Sequence, residues 1–465
     1  MKINIASNEV IHFIGIGGIG MSGLAQIMKN TGFKIQGSDL SKNKNTERLN
    51  KLGIKVYFGH NQNNLKKATL VVISSAIKNN NKELKFARNK KLPIFKRGDM
   101  LANIVALKKN IIVTGSHGKT TTTSLVANIL VEAGLDPTVI NGGVINSLKN
   151  NAQFGKGEWA VIESDESDGS FLKLPVTYSI VTNVDKEHLD FYGSFKKLKK
   201  SFISFIEKTP SFGKSLVCID NKNIKSLLTK CKTGNYLTYG FSKKANFQIT
   251  NVRKNIKFTT FDLKVKLAGY KDYKVRDIQV NIIGDHNISN TTAAVAVAIN
   301  LGIKVKKIKT SLKKFQGIQR RFTKIFTFEK KEFYDDYAHH PTEIKAVLNG
   351  ARQVYKNRKI ICVFQPHRYS RVKMLKNEFA TSFTKGNLVV LCPVYSAGEK
   401  LKYNFNQKSF SKLIMKKSKV QVINVKNKKE LKFFFKKNLL EKEMIICMGA
   451  GSISNWIREI GNELK

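Results

Sequence analysis

The residues best suited to chemistry stand where apolar runs end. Gly115-Ser116-His117-Gly118-Lys119-Thr120-Thr121 follows the apolar run IIVT and precedes a helical stretch that ends near Gly134. A loop of this kind surrounds phosphate with backbone amides, directs Lys119 at the β and γ oxygens and offers the Thr120 hydroxyl to Mg2+. The spacing is G-x-x-G-K-T. That is shorter than the usual G-x-x-x-x-G-K-[ST], which makes it a variant phosphate loop.

A second glycine turn, Gly15-x-Gly17-x-x-Gly20, follows the strand pattern IHFI and precedes a helix from about Met21. Asp39 ends the next strand, 19 residues beyond Gly20. Backbone N–H groups and a helix N-terminus at such a turn face a diphosphate, and taken alone the pattern reads first as an NAD site. The plain alternative is a tight turn without ligand.

Carboxylates gather at two further strand ends. Glu163-Ser164-Asp165-Glu166-Ser167-Asp168 closes EWAVIES, and Asn183-Val184-Asp185-Lys186-Glu187-His188 closes TYSIVTNV. Mg2+ takes hard oxygen ligands and keeps several waters, so one carboxylate per ion can suffice. Glu163 is the candidate metal carboxylate and His188 a second metal ligand. Asp165, Glu166 and Asp168 read as solvated loop or helix-capping residues. Further on, Asn287 and Asn290 lie in GDHNISN, where an amide reads a nucleotide edge or caps a helix. Arg320-Arg321-Phe322 opens the last third of the chain, and an arginine there suits a transferring phosphoryl group. Asp336, His339, Arg368 and Arg371 lie in DDYAHHPTE and QPHRYSR, each after a strand. The His339-His340 pair lacks partners at zinc-ligand spacing, so zinc is not expected.

Positioning these groups requires alternating strands and helices, which means α/β architecture. Its 465 residues correspond to about three domains at roughly 100–200 residues each. Residues 1–106 form the first, with a parallel α/β sheet; 107–318 form the second, opened by the phosphate loop; 319–465 form the third, a doubly wound α/β domain. Residues Ala245 to Ile283 alternate in short runs and read as an antiparallel appendage. A helix of small residues is expected from Asn290 to Asn300.

The net charge is +49, from 70 Lys and 12 Arg against 33 acidic residues. Such a charge suits a nucleic-acid or membrane-surface binder. Lysine is spread along the whole chain, however, and arginine, the better bidentate reader of phosphate and bases, is scarce. Compositional drift explains the charge better, and no nucleic-acid partner is expected. Five widely spaced cysteines without a CxxC pair read as reduced core thiols of a cytoplasmic protein. The N-terminal MKINIASNEVIHFIGIGG does not read as a signal peptide. No apolar run approaches the ~18 residues of a membrane span.

Together, IGIGGIGMSGLA, VTGSHGKTTTTS, ESDESDGSF, VTNVDKEHLDFYG, GDHNISN, RRF, DDYAHHPTE and VFQPHRYSR resemble the Mur ligases of peptidoglycan synthesis. The likeness runs in order along nearly the whole chain, and VFQPHRYSR places it nearer the alanine-adding branch than the tripeptide-adding one. The resemblance implies a Rossmann-like domain over 1–106, a central P-loop ATPase-type domain over 107–318 and a second Rossmann-like domain over 319–465, and that Gly15, Gly17, Gly18, Gly20, Ser38, Asp39, Ser74 and Ser75 hold a UDP-sugar, not NAD. It implies that Gly115 to Thr121, Asn287, Asn290, Arg321 and Asp336 bind ATP. Thr120, Glu163 and His188 would serve Mg2+, with two ions expected. His339, Arg368 and Arg371 would meet the amino acid. The implied substrates are UDP-N-acetylmuramate and L-alanine, and the implied catalytic set is Lys119, His188, Arg321 and His339. A monomer or dimer without membrane insertion is expected.

Overall fold

Parallel strands covered on both faces are built from continuous apolar runs, and the three sheets of this chain follow that rule. The computed structural model describes residues 9–106, 108–148, 150–399 and 405–464. Residues 1–8, where the N-terminal reading begins, and Leu107, where the central domain was expected to start, lie outside the described residues.

The first sheet contains β1 (Val10–Ile14), β2 (Lys34–Asp39), β3 (Lys55–Phe58), β4 (Leu70–Ile73) and β5 (Ile94–Lys96). Its order is β3-β2-β1-β4-β5 and every pairing is parallel. The order reverses between β1 and β4, so the glycine turn after β1 sits at the topological switch point, where such sheets bind ligands.

The central sheet has ten strands. These are β6 (Lys109–Thr114), β7 (Thr138–Ile145), β8 (Asn150–Gln153), β9 (Trp159–Glu163), β10 (Tyr178–Val181), β11 (Ser215–Cys218), β12 (Tyr236–Gly240), β13 (Phe247–Lys254), β14 (Thr259–Val265) and β15 (Tyr273–Val280). They run in the order β15-β14-β13-β12-β11-β10-β6-β9-β7-β8. Strand β6 lies between β9 and β10 with both pairings parallel. The phosphate-loop motif therefore emerges between the ends of the two strands that carry the acidic segments. The segment expected as an antiparallel appendage joins this sheet through β13, which pairs in parallel with β12. The small-residue helix starts earlier than expected, spanning Asp285–Asn300, and buries Ala293, Ala294, Ala296 and Ala298 completely.

The third sheet contains β16 (Thr323–Phe328), β17 (Lys331–Asp336), β18 (Ile360–Phe364), β19 (Leu388–Leu391), β20 (Gln421–Asn424) and β21 (Met444–Met448), ordered β16-β17-β21-β18-β19-β20. Only β16, at the edge, pairs antiparallel.

The chain packs as two compact units. One comprises the chain up to Val252 with Thr260–Asn281 and Ser289–Gln316; the other comprises Arg253–Thr259, Ile282–Ile288 and Gly317 onward. The first two sheets thus share one unit. Within it the helix Ile19–Asn30 packs against β8. Asn151 Nδ2 donates to Ile19 O at 3.0 Å, Arg48 Nη2 to Asn151 Oδ1 at 2.5 Å, and Gln26 Nε2 to Ala152 O at 3.3 Å. Among the described residues, no helix is long and apolar enough to cross a membrane.

Candidate active site

The glycine turn is clamped to the end of β2. Gly15 N and Ile16 N donate to Ser38 O at 2.8 and 2.9 Å, and Gly17 N donates to Asp39 Oδ2 at 2.8 Å. A Cβ at residue 17 would stand 2.7–2.9 Å from Asn43, Asp39 and Thr46, so the close approach requires glycine. Gly18 then caps the helix Ile19–Asn30, and Gly20 lies against Arg97. Ser74 flanks Gly15, whereas Ser75 is exposed. The Ser38 hydroxyl points away from the turn into a buried network, so this residue serves the turn through its carbonyl.

The phosphate loop is held from β10. Asn183 O accepts from Ser116 N at 3.0 Å, and Asn183 Oδ1 accepts from His117 N at 2.8 Å. Thr182 Oγ1 donates to His117 O at 2.6 Å, and Ser116 Oγ accepts from Asp185 N at 2.8 Å. His117 Nε2 pairs with Asp185 Oδ2 at 3.1 Å. The loop turns through Gly118 at φ +81° into the helix Lys119–Glu132, whose first amides and dipole suit an anion. Asn290 stands directly over Gly118, where a Cβ would approach its Oδ1 to 2.6 Å.

Lys119 Nζ lies 2.7 Å from Glu166 Oε2, with the lysine side chain 12% exposed and the glutamate fully buried. The expectation of a solvated Glu166 is therefore wrong. A lysine sunk into a phosphate loop needs a buried counter-charge, and the turn after β9 supplies it. Asp165 and Asp168 are loop residues that accept from the amide two residues on, Ser167 N at 2.9 Å and Ser170 N at 3.0 Å, and neither is the N-cap of a helix. Desolvation works against the Lys119 charge, but Glu166, Asp165 and Glu163 outweigh it and hold the ammonium protonated well above its ordinary range. Burial raises Asp165 too, yet Lys119 and His188 bring it down to about 2.

Glu163 Oε1 accepts from the Thr120 hydroxyl at 3.0 Å, and its Oε2 accepts from Gly142 N at 2.5 Å. His188, at φ +54°, places Nε2 3.9 Å from Glu166 Oε1. That oxygen is buried and accepts no hydrogen bond among the described residues. The ligand atoms of Asp165, Glu166 and His188 lie within 4.8 Å of one another. Two carboxylate oxygens and an imidazole, one oxygen unmatched, form a donor set that fits a divalent cation.

In the other unit, Asp336 is buried at the end of β17 and accepts from Phe322 N at 2.7 Å and Ala338 N at 2.8 Å. Burial raises its carboxyl to about 6 against the opposing charge of Arg321. The Arg321 guanidinium lies 5.4 Å from the Tyr337 ring. Asn287 Nδ2 donates to Ile283 O at 2.7 Å. His339 Nδ1 lies 3.0 Å from Tyr337 O. A carbonyl only accepts, so Nδ1 carries the proton. The His339 ring meets that of His367 at 5.7 Å, and His367 stacks on Tyr395 at 5.6 Å. Arg371 Nη1 is 3.4 Å from His367 Nδ1, and Arg368, at φ +66°, opens the helix Tyr369–Met374. Desolvation, with the charges of His339, Arg371 and Arg368, drives His367 down to about 3, so it is neutral at physiological pH. Sequence reasoning had set Glu166 aside as solvated or capping and had not singled out His367. Both lay inside motifs already marked, and the missing information was which side chain turns inward.

Comparison with known proteins completes the picture. Three family models match in order: Mur ligase family, catalytic domain, at residues 10–109; Mur ligase middle domain at 113–298; and Mur ligase, glutamate ligase domain, at 320–451. The UDP-N-acetylmuramate–L-alanine ligase of Pelagibacter ubique is 57% identical over 460 residues, covering 99% of each chain. That of Parvibaculum lavamentivorans is 43% identical, covering 98% of this chain and 92% of its own. The crystal structure of the UDP-N-acetylmuramate-alanine ligase of Thermotoga maritima superposes with a TM-score of 0.82 at 28% identity, covering 97% and 98% of the two chains. With its three sheets and the order of its motifs matched from end to end, this chain belongs to the Mur ligase family.

Proposed function

We propose that this chain joins L-alanine to the muramoyl carboxylate of UDP-N-acetylmuramate at the expense of ATP, in the cytoplasmic synthesis of a peptidoglycan precursor. The full-length 57% identity to a protein of that name carries this reading. A phosphate loop whose lysine is held charged supports it. The nicotinamide reading of the first glycine turn is left without support.

In this reading, residues 1–106 hold the UDP-sugar, 107–318 bind ATP, and 319–465 bring the amino acid. The muramoyl carboxylate attacks the γ-phosphorus, the bond to ADP breaks, and an acyl phosphate forms. The alanine amine then attacks the acyl carbon, the C–O bond to phosphate breaks, and an amide and inorganic phosphate leave. A free carboxylate has no good leaving group; phosphorylation provides one. Phosphoryl transfer depends on positioning and charge neutralisation.

Lys119 and Arg321 supply side-chain cations, the amides of Gly115 to Thr121 cradle the phosphates, and Asn287 and Asn290 contact the nucleotide. Thr120 with Glu163, and His188 beside Glu166 and Asp165, would hold Mg2+, which neutralises phosphate charge when bound. His339, with its proton on Nδ1, positions the alanine amine. Arg368 and Arg371 grip the alanine carboxylate. Asp336 orients the Arg320–Phe322 segment through Phe322 N. Hydroxylamine added during turnover tests the intermediate. An acyl hydroxamate is expected, and its absence from an active reaction overturns the acyl-phosphate route. ADP release with alanine, serine and glycine in parallel tests the amino acid assigned.

A further inference from the structure

The network that captures the Ser38 hydroxyl is built around a carboxylate the reaction above does not use. Glu83 begins its helix, Lys82–Asn89, and is fully buried. Its Oε2 accepts from Ser38 Oγ at 2.5 Å and its Oε1 from Asn64 Nδ2 at 2.7 Å. Burial opposes the charge, but these donors and His12 outweigh it and hold the carboxyl below its ordinary range.

Protons in this network can be assigned from the groups that can only accept or only donate. Gln36 Nε2 lies 2.8 Å from Asn64 O, so that amide nitrogen faces an acceptor and donates. The same nitrogen lies 3.1 Å from His12 Nδ1, which must therefore accept. His12 then carries its proton on Nε2, 3.6 Å from Glu83 Oε2, with neither side chain exposed. Ser38 spends its one hydrogen on Glu83. Its oxygen accepts from His60 Nδ1, which lies 3.0 Å from Ser38 Oγ and 3.1 Å from Glu83 Oε2. His60 thus has its Nδ1 proton fixed between two acceptors, which in the neutral ring leaves the acceptor lone pair on Nε2.

The location gives this lone pair a use. His60 follows β3, whose end is tied to β2 by Gly59 N donating to Asp39 O at 2.8 Å. Ser38, its hydrogen-bond partner, carries the carbonyl that holds Gly15 and Ile16. The imidazole therefore lies against the Ser38 side chain near the carboxyl end of β2, and the Ser38 carbonyl holds the glycine turn. Its side chain is 12% exposed. In sheets of this kind the turn takes the diphosphate and the end of the second strand takes the nucleoside.

We propose that His60 reads the nucleoside of the UDP-sugar by accepting, at Nε2, a hydrogen bond from an N–H or O–H of uridine. Glu83 is the positioning residue that fixes the tautomer, with His12 as its buried support. This rests on the UDP-sugar reading of the first domain. A site built to accept a hydrogen bond rejects a ligand lacking the donor, because the protein group is then left unpaired.

Calorimetric titration of the full-length protein with UDP, N3-methyl-UDP, 2′-deoxy-UDP and 3′-deoxy-UDP tests this. The wild type is expected to bind UDP and to bind the analogue lacking the contacted donor about tenfold more weakly, the effect of one hydrogen bond. His60→Phe is expected to weaken UDP by about the same factor and to bind that analogue as well as UDP. Glu83→Gln, whose amide can donate towards His60, is expected to narrow the same ratio and to raise the KM for the UDP-sugar while leaving that for ATP unchanged. A wild type that fails to bind UDP overturns the UDP-sugar reading itself. A wild type that binds UDP and all analogues equally overturns this inference alone, whether or not the variants fold. So does a His60→Phe protein that keeps the wild-type discrimination ratio.

Discussion

Replacing Glu166 with glutamine removes one charge from the buried pair with Lys119 and from the cation donor set with Asp165 and His188, while the amide oxygen can still accept a hydrogen bond. At the observed 2.7 Å and an effective dielectric constant of about 20, the direct attraction is about 6 kcal/mol. Much of that offsets the desolvation of the two groups, so the pair itself adds little net stability. Removing one partner is different, because the other charge stays buried, and such losses cost about 3–5 kcal/mol. Asp165 and Glu163 also compensate Lys119, which places the expected loss near ~3 kcal/mol, the lower end of that range. For the unit containing the loop, roughly 300 residues, that corresponds to a melting point lower by about 5 °C. Differential scanning fluorimetry of wild type and Glu166→Gln, with and without ATP and with Mg2+ left out, measures it. If Lys119 faces nucleotide phosphate, ATP supplies the missing anion and should stabilise the variant more than the wild type. The reasoning is refuted by a variant as stable as wild type without nucleotide, or by equal ATP-induced shifts in the two proteins.

Other outcomes follow from the same geometry. Lys119→Ala should lower kcat by at least about two orders of magnitude, the usual effect of one electrostatic group in acyl or phosphoryl transfer; near-normal turnover in an ADP-release assay would remove Lys119 from the reaction. Gly118→Ala should raise the KM for ATP, because the alanine must hold φ near +81° and displace the Asn290 amide at a cost of about 1–2 kcal/mol for the backbone alone; an unchanged KM would show the loop can rearrange freely. Asp336, raised from 3.8 to about 6, binds its proton more tightly in the folded state. Its contribution should therefore fall by roughly 3 kcal/mol as pH rises from about 4 to 6, and urea titrations of Asp336→Asn should lack that decline relative to wild type. Arg368→Ala and Arg371→Ala should raise the KM for alanine more than that for ATP; the reverse order would reassign both arginines.

Much of this architecture was legible because its signals are local. An apolar run ending in glycine and followed by a helical pattern marks a strand and turn at Ile14 and at Thr114, and both turns form as read. Less legible was whatever depends on partners distant in sequence. Strands β7 and β8 carry Asn and Gly and lack a continuous apolar run, and β16 pairs antiparallel at an edge, so neither signal nor topology announced them. Residues Ala245 to Ile283 do alternate, as edge-ward strands should, but nothing local says that β13 will add to β12. Glu166 shows the same limit within the site. Asp165, Glu166 and Asp168 look alike in sequence, and only Lys119, 47 residues away, separates the buried one from its solvated neighbours. Glu83, Ser38 and His60 come from three separate segments, and their meeting at the end of β2 is invisible until the sheet order is known.

The seam between the first and central sheets sets where this chain can be cut. Arg48, Gln26 and Asn151 reach across it, and Gly98 packs so closely on Ser170 that a Cβ would stand 2.6 Å away. A fragment ending at Ala106 would carry a raw flank where that neighbour belongs. Chimaeras that exchange the first domain alone between relatives would mismatch both sides of the seam. Exchanges made at Gly317 would leave it whole, keeping the first glycine turn and the phosphate loop in a single inherited block whose parts have to be altered together.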